Sequence, residues 1–251
     1  MIKKFINNLL IKTTNYRLVN NYNYNLKANL IENDPVLDED FVQISKKLNN
    51  IYNQETKTET NYSAYQTIKN IINLNLNGNI VECGVYQGQK ISYFLETLQK
   101  FKKNNFDVYI IDTFEGMTEP SNNDVQMVTG YKLKKNDSIA NLDEVKENIY
   151  KTNYPRDKLH FVKIDVRKVN ELRNSVKGDI AILRLDTDFY DSTLAILNSL
   201  YFKVVKNGFI IHDDYGHWQG HYDACQEFYK KNNIRPILFR TCRKERIEIK
   251  L

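Results

Sequence analysis

The sequence predicts a doubly wound α/β fold. Its sheet has seven strands, mostly parallel, closes on an antiparallel C-terminal hairpin, and follows an N-terminal helical extension. Three observations predict it. From Tyr62 onward, strand-length apolar runs alternate with amphipathic helical stretches, the pattern of strands buried on both faces. Two stretches, Ile180–Tyr190 and Gly208–Gly216, each begin as such a run and end in acids: Asp186 and Asp188 in the first, Asp213 and Asp214 in the second. Charges belong at the carboxyl edge of a parallel sheet, where open α/β sheets bind ligands. The last two runs, Ile234–Arg240 and Arg246–Lys250, are five residues apart, too few for a helical crossover, so they pair antiparallel.

The elements follow in order. Ile2, Phe5, Ile6, Leu9 and Leu10 recur at helical spacing with Lys3 and Lys4 opposite. This face is expected to dock on the domain or on a second subunit, with membrane attachment as the alternative. The Asn- and Tyr-rich stretch that follows carries one helical signal, around Phe41 to Ile51. Residues 1–60 are therefore read as an extension, and 61–251 as the folded domain. A helix over Tyr65–Leu74 stops at Asn77-Gly78. Asn79–Val85 is the first strand, and a helix with Ile91, Phe94, Leu95, Leu98 and Phe101 on one face comes next. Val108–Asp112 is the second strand. The long polar loop Thr113–Ser138 precedes a helix containing Leu142, Val145 and Ile149. Leu159–Asp165 is the third strand, followed by a helix over Val169–Val176. The two acid-tipped strands are joined by a helix carrying Leu194, Leu197, Tyr201 and Val204, and a helix over Tyr222–Lys231 leads to the hairpin.

Composition narrows the function classes. A length of 251 residues with 41% hydrophobic content permits a sizeable core, and a net charge of +5 is mild. Its lysines are spread over helix surfaces without an aromatic-basic stripe, which argues against nucleic acid as a partner. Cys83, Cys225 and Cys242 are odd in number and lack metal-ligand spacing, as expected of free thiols in a reducing cytoplasm. The four histidines show no zinc spacing either. Apolar runs are too short for a stable membrane span, and Asn7 and Asn8 interrupt the signal-like start. A cytoplasmic location is the expectation.

The chemistry is written at strand ends. Glu82-Cys-Gly-Val-Tyr-Gln-Gly88 is a turn in which Gly84 admits a sharp bend and Gly88 opens the next helix, but it lacks the glycine density of a dinucleotide cradle. Asp112 sits where an acid can accept from both ribose hydroxyls, or else cap a loop. Asp165 faces the same choice between an adenine edge and a helix cap. Together they suit a ribose-bearing ligand without a pyrophosphate. Four acids at the other rim need neutralising, and only Arg184 adjoins them in sequence. Three carboxylates and water suit Mg²⁺; the alternative is that the acids cap helices or pair with distant lysines. His212 reads as a packed strand residue. His217 and His221 flank Trp218 just beyond the acids, where contact with a substrate is expected.

Four motifs, Glu82–Gly88, Asp112-Thr-Phe-Glu-Gly-Met117, Leu183–Thr193 and Asp213-Asp-Tyr-Gly-His-Trp-Gln-Gly220, together resemble the macrocin O-methyltransferase family. Its members use S-adenosylmethionine and Mg²⁺ to methylate sugar hydroxyls in macrolide and aminocoumarin tailoring. The resemblance covers about Tyr62 to Phe228 and implies a Rossmann-like class I methyltransferase fold. It implies Mg²⁺ ligation by Asp186, Asp213 and Asp214, with Asp188 as general base. Cofactor contacts are expected at Glu82, Gly84, Val85, Gly88, Asp112, Ser138 and Asp165, and acceptor contacts at Tyr215, His217 and Trp218. The loop after Asp112 would act as a lid. The expected partner is a small-molecule or glycan acceptor bearing sugar hydroxyls, with a homo-oligomer through the N-terminal helix as a further expectation. Three places depart from the family: Tyr222 stands where an arginine is usual, Gln226 where an acid is, and Thr58–Ala64 lacks the arginine common there. The rival readings are an NAD-dependent oxidoreductase, a nucleic-acid methyltransferase, and a catalytically silent binding or scaffold module on the same sheet.

Overall fold

The computed structural model describes residues 39–53 and 58–251, so the expected helix over Ile2–Leu10 lies outside the described residues. Gln43–Leu251 form one compact unit. Two helices, α1 (Glu39–Tyr52) and α2 (Thr58–Asn73), lead into β1 (Asn79–Cys83) and α3 (Gln89–Lys100). The chain continues through β2 (Val108–Asp112), α4 (Leu142–Tyr150), β3 (Leu159–Lys163), α5 (Val169–Ser175), β4 (Ile180–Leu185) and α6 (Tyr190–Leu200). It ends in β5 (Val204–His212), α7 (Gln219–Lys231), β6 (Leu238–Arg240) and β7 (Arg246–Ile249).

The seven strands form one sheet in the order β3-β2-β1-β4-β5-β7-β6. The first five are parallel, and β7 joins β5 and β6 antiparallel. Successive strand residues point to opposite faces, and each face is covered. One face carries Val81, Cys83, Ile111, Leu183, Leu185 and Ile210 against α5, α6 and α7. On the other side α3 packs against α2 and α4, and Tyr52 of α1 reaches Ser92 of α3 by a 2.7 Å hydroxyl contact. This is the mixed seven-stranded sheet that the sequence predicts.

Among the boundaries that differ from expectation, three have a clear local reason. Val204 opens β5 and does not extend the preceding helix: Tyr201–Lys203 tighten into a 3-10 turn, and the β-branched Val204-Val205 pair then enters the sheet. β3 stops at Lys163, because Asp165 folds back onto Arg167. β6 begins only at Leu238, since Pro236 has no N–H to give a ladder.

Strand order reverses between β1 and β4. At such a switch point the connecting helices leave to opposite faces and open a crevice outside the strand ends. Glu82 pairs in register with Arg184 and Cys83 with Leu185, so Gly84 and Asp186 flank that crevice.

Candidate active site

A cleft of about 360 Å³ lies at the switch point, lined by residues from the ends of β1, β2, β3 and β4 and from the long loop. Of the residues expected to hold a cofactor, Gly84, Asp112, Ser138 and Asp165 are in its wall. Asp112 carries the turn: Oδ2 accepts from the Val85 N–H at 2.8 Å, and Oδ1 accepts from the Phe114 N–H at 2.9 Å. Val85 thus contributes its main chain to the acid and is itself buried. Asp165 meets Arg167 through two parallel bonds of 3.0 and 2.6 Å, and these bonds hold its carboxyl below the usual range. A Cβ at Gly84 would run into the Asp186 carbonyl, so this glycine also lets β1 and β4 close together. Gly88 packs instead against Ile149 of α4, with φ 86°, and Glu82 is buried beneath the rim. The sequence reading missed Tyr86, Met117, Thr118, Val166 and Thr187, which line the same cleft. None of them is a strand-end acid or a turn glycine, the signals read from the residues themselves.

The acidic rim is built differently. Arg184, buried on the sheet, donates Nη1 to Glu82 and to Asp186 (2.8 Å) and Nη2 to Asp213 (2.5 Å). Lys244, from the turn between β6 and β7, reaches Asp213 and lies 3.9 Å from Asp214. Arg184 is therefore not the sole neutraliser. A distant lysine is recruited because β7 pairs with β5 in a register that sets Arg246 beside His212. Asp186, Asp188 and Asp214 each place a carboxylate oxygen within 4.8 Å of the others, while Asp213 is held between its two cations.

The protonation states follow from this crowding. Burial would raise Asp186, but the charges of Arg184 and Lys244 outweigh it and bring the group down to about 2. Asp188 is pushed up to about 6, by burial first and then by the charge of Asp186. Asp214 is driven well above the usual carboxylate range by burial and by its two acidic neighbours, and it shares a hydrogen bond with Asp188. Asp188 itself sits at φ 59°, a left-handed conformation that aspartate tolerates, and takes a hydrogen bond from the Trp218 indole.

These features fit a hard divalent cation. The donors are all carboxylate oxygens, Asp214 Oδ2 is buried with no hydrogen-bond donor, and the Lys244 ammonium already bridges Asp213 and Asp214 as a stand-in cation.

Past the acids, Trp218 is buried, while Tyr215 and His217 are half-buried. Tyr215 packs edge-on against Tyr222 and its hydroxyl accepts from Gln226, the two positions that depart from the family. The long loop crosses this segment. Gln126 bridges to Trp218, Met127 N–H donates to the His217 carbonyl, and Asp124 Oδ1 accepts from the Tyr190 N–H at 2.7 Å. Asp124, a buried acid in a polar loop, thus caps α6 from outside its own helix, and a Cβ at Gly220 would collide with it.

Comparison with known proteins places this architecture. The model of the Macrocin-O-methyltransferase (TylF) family matches residues 60–241. The 8-demethyl-8-(2,3-dimethoxy-alpha-L-rhamnosyl)-tetracenomycin-C 4'-O-methyltransferase of Streptomyces olivaceus is 27% identical over 60% of this chain and 56% of its own length. The demethyldecarbamoylnovobiocin O-methyltransferase of Streptomyces niveus is 26% identical over 67% of this chain and 64% of its own. The chain thus spans under two thirds of these relatives. Among solved structures, the O-methyltransferase NovP superposes with a TM-score of 0.69 at 23% identity, covering 78% of this chain and 81% of that one. The calicheamicin methyltransferase CalS11 does so at 0.66 and 18%, covering 88% and 89%. At such identities the likeness establishes the fold.

Proposed function

The chain belongs to the macrocin-O-methyltransferase family, and on that premise we propose that it transfers a methyl group from S-adenosylmethionine to a hydroxyl of a sugar or glycosylated acceptor, with Mg²⁺ at the acidic rim. The observation that carries this reading is the convergence of Asp186, Asp188 and Asp214 at the switch-point cleft, beside the glycine turn and Asp112. S-adenosylmethionine supplies an electrophilic methyl on a sulfonium, so the protein's task is to position an oxygen and remove its proton. Asp112, with each oxygen already fixed by a main-chain N–H, presents its remaining lone pairs to ribose hydroxyls.

Asp186 and Asp214, which share the carboxylate cluster, and Asp213, once the ion takes the place of the Lys244 ammonium, are the residues that would hold Mg²⁺. Bound there, the ion supplies positive charge that lowers the pKa of an acceptor hydroxyl. Asp188 accepts the hydroxyl proton, with its carboxylate oriented by Trp218 and its pKa near 6 suited to a base at neutral pH. Arg184 keeps Asp186 ionised and holds both Asp186 and Asp213 in place. The loop pinned by Asp124 and Gln126 covers the segment that carries Tyr215, His217 and Trp218, and shields the reacting oxygen from water. With no helix among the described residues long and apolar enough to cross a membrane, the proposed setting is the cytoplasm.

The test compares two variants by calorimetry with Mg²⁺ and by isotopic methyl transfer to rhamnosyl glycosides. Asp213→Asn is expected to weaken Mg²⁺ binding and to lose turnover with it. Asp188→Asn is expected to retain the ion while turnover falls about 10²–10⁴-fold, the worth of a positioned base. The reverse pattern, with the ion lost in Asp188→Asn and kept in Asp213→Asn, would move ligation to the Asp186–Asp188–Asp214 group and remove Asp188 as the base.

A further inference from the structure

Behind the acidic rim, on the far side of His212, lies a second cluster that the proposed reaction does not use. His212 ends β5, and His221 and Cys225 sit four apart on α7, so both project from one face of that helix toward the strand. All three side chains are fully buried. His212 Nδ1 is 3.4 Å from His221 Nε2 and 3.5 Å from Cys225 Sγ, and the three atoms lie within 4.8 Å of one another.

The outer nitrogen of each ring is engaged, which fixes what the inner ones present. Tyr229 has one hydroxyl hydrogen, and it goes to Glu248 Oε2 at 2.6 Å. Glu248 also accepts from the Tyr201 hydroxyl at 2.5 Å and lies 3.5 Å from His212 Nε2. The Tyr229 oxygen, 3.0 Å from His212 Nε2, therefore accepts, and His212 carries its hydrogen on Nε2. In the neutral ring this turns the Nδ1 lone pair into the cluster, toward His221 and Cys225. His221 Nδ1 is 3.2 Å from the Thr193 hydroxyl, a partner that can take its hydrogen and leave Nε2 bare as well. Imidazoles oriented through their outer nitrogens by hydroxyl and carboxylate groups are the usual setting of metal-ligating histidines.

Spacing and donor type agree. Metal–nitrogen bonds of about 2.0–2.1 Å and metal–sulfur bonds of about 2.3 Å, arranged tetrahedrally, put ligand atoms roughly 3.3–3.6 Å apart, matching the two distances seen. Two imidazoles and one thiol suit zinc or copper(I) and not Mg²⁺, which takes oxygen. We propose that His212, His221 and Cys225 form a second metal site for zinc or copper(I). Binding ionises the Cys225 thiol and releases one proton to solvent. The ion ties the end of β5 to α7 across the loop that carries Asp213, Asp214 and Trp218, and so stiffens the acidic rim from behind.

The test uses the full chain, stripped of metal and titrated with Co²⁺ in excess Mg²⁺, so that the carboxylate site is filled. A thiolate-to-cobalt charge-transfer band saturating at one equivalent is expected, persisting in Asp186→Asn and absent in Cys225→Ala. In a second arm, wild-type protein should withhold copper(I) from a chromogenic chelator, or give zinc one-to-one retention after dialysis, and the stronger of the two identifies the ion. His221→Asn should weaken binding at least about tenfold. If wild-type protein shows no thiolate band and retains neither ion, the proposal is overturned, and the cluster is a hydrogen-bonded relay from Thr193 to Glu248. A band that survives in Cys225→Ala overturns it equally, since the thiolate would then be another cysteine's. The wild-type arms stand even if a variant fails to fold.

Discussion

The two halves of the cleft solve the problem of buried-edge acids in opposite ways. At the ends of β2 and β3, each acid is matched one for one: Asp112 takes the N–H of Phe114, two residues on, and that of Val85 in the turn after the neighbouring β1, and Asp165 takes Arg167. At the ends of β4 and β5, acids converge from separate elements. Among the described residues, Glu82, Asp186, Asp213 and Asp214 are ion-paired with Arg184 and Lys244, and Asp188 crowds in beside them. The first half is complete as folded and needs only a ligand that fits. The second carries more acids than paired cations, and that crowding pushes Asp188 and Asp214 above the usual carboxylate range. An acid's partners, more than its place at a strand end, distinguish scaffold from reactive site.

Removing the central cation is the most severe way to break that contrast. Arg184→Met strands Glu82, Asp186 and Asp213 as buried charges and should cost about 3–5 kcal/mol in urea unfolding. A loss below 1 kcal/mol would mean that Lys244 alone suffices. Asp112→Ala removes a local acceptor and should leave the rim untouched. S-adenosylhomocysteine affinity is expected to fall about tenfold, the worth of a hydrogen bond or two, with Mg²⁺ affinity unchanged by calorimetry; equal losses in both would merge the two halves.

The smallest effect is on pH dependence. Glu82 is pushed up to about 7 by burial and Asp188 to about 6 by burial and the charge of Asp186, both above their unfolded values. Between the unfolded and folded values the native state holds more protons, so stability falls as pH rises. Asp186, lowered to about 2, acts in the other sense and only in acid. The melting temperature of metal-free protein should therefore drop from pH 5 to pH 8, and Mg²⁺ should recover more of it at pH 8. A flat profile would show that the rim acids are not crowded.

What was legible in the sequence divides along the same line. The alternation of strands and helices, the terminal hairpin and the strand-end acids could be read, because apolar periodicity and chain-local geometry set them. Lys244 could not: its contact with Asp213 depends on the register of β7 on β5, which no local pattern encodes. Asp124 was hidden likewise, since a loop aspartate gives no sign that it will cap a helix beginning 66 residues later. His212, His221 and Cys225 lack metal-ligand spacing in sequence and meet only because α7 folds back on β5. Gly84 was read for its turn, and its tighter role, clearing the Asp186 carbonyl, needed the β1–β4 register.

The claim that the acidic rim holds a catalytic cation, while the cofactor half is complete without one, meets its most direct test in a single preparation of wild-type protein. Methyl transfer and S-adenosylhomocysteine binding are measured in excess EDTA and again after Mg²⁺ is restored. The account predicts that turnover is abolished by EDTA and returns with Mg²⁺ alone, while the binding constant stays within about twofold, since the cofactor half takes no ligand from the rim. Undiminished methyl transfer in excess EDTA would contradict it and leave an acid-lined methyltransferase cleft that works without a metal.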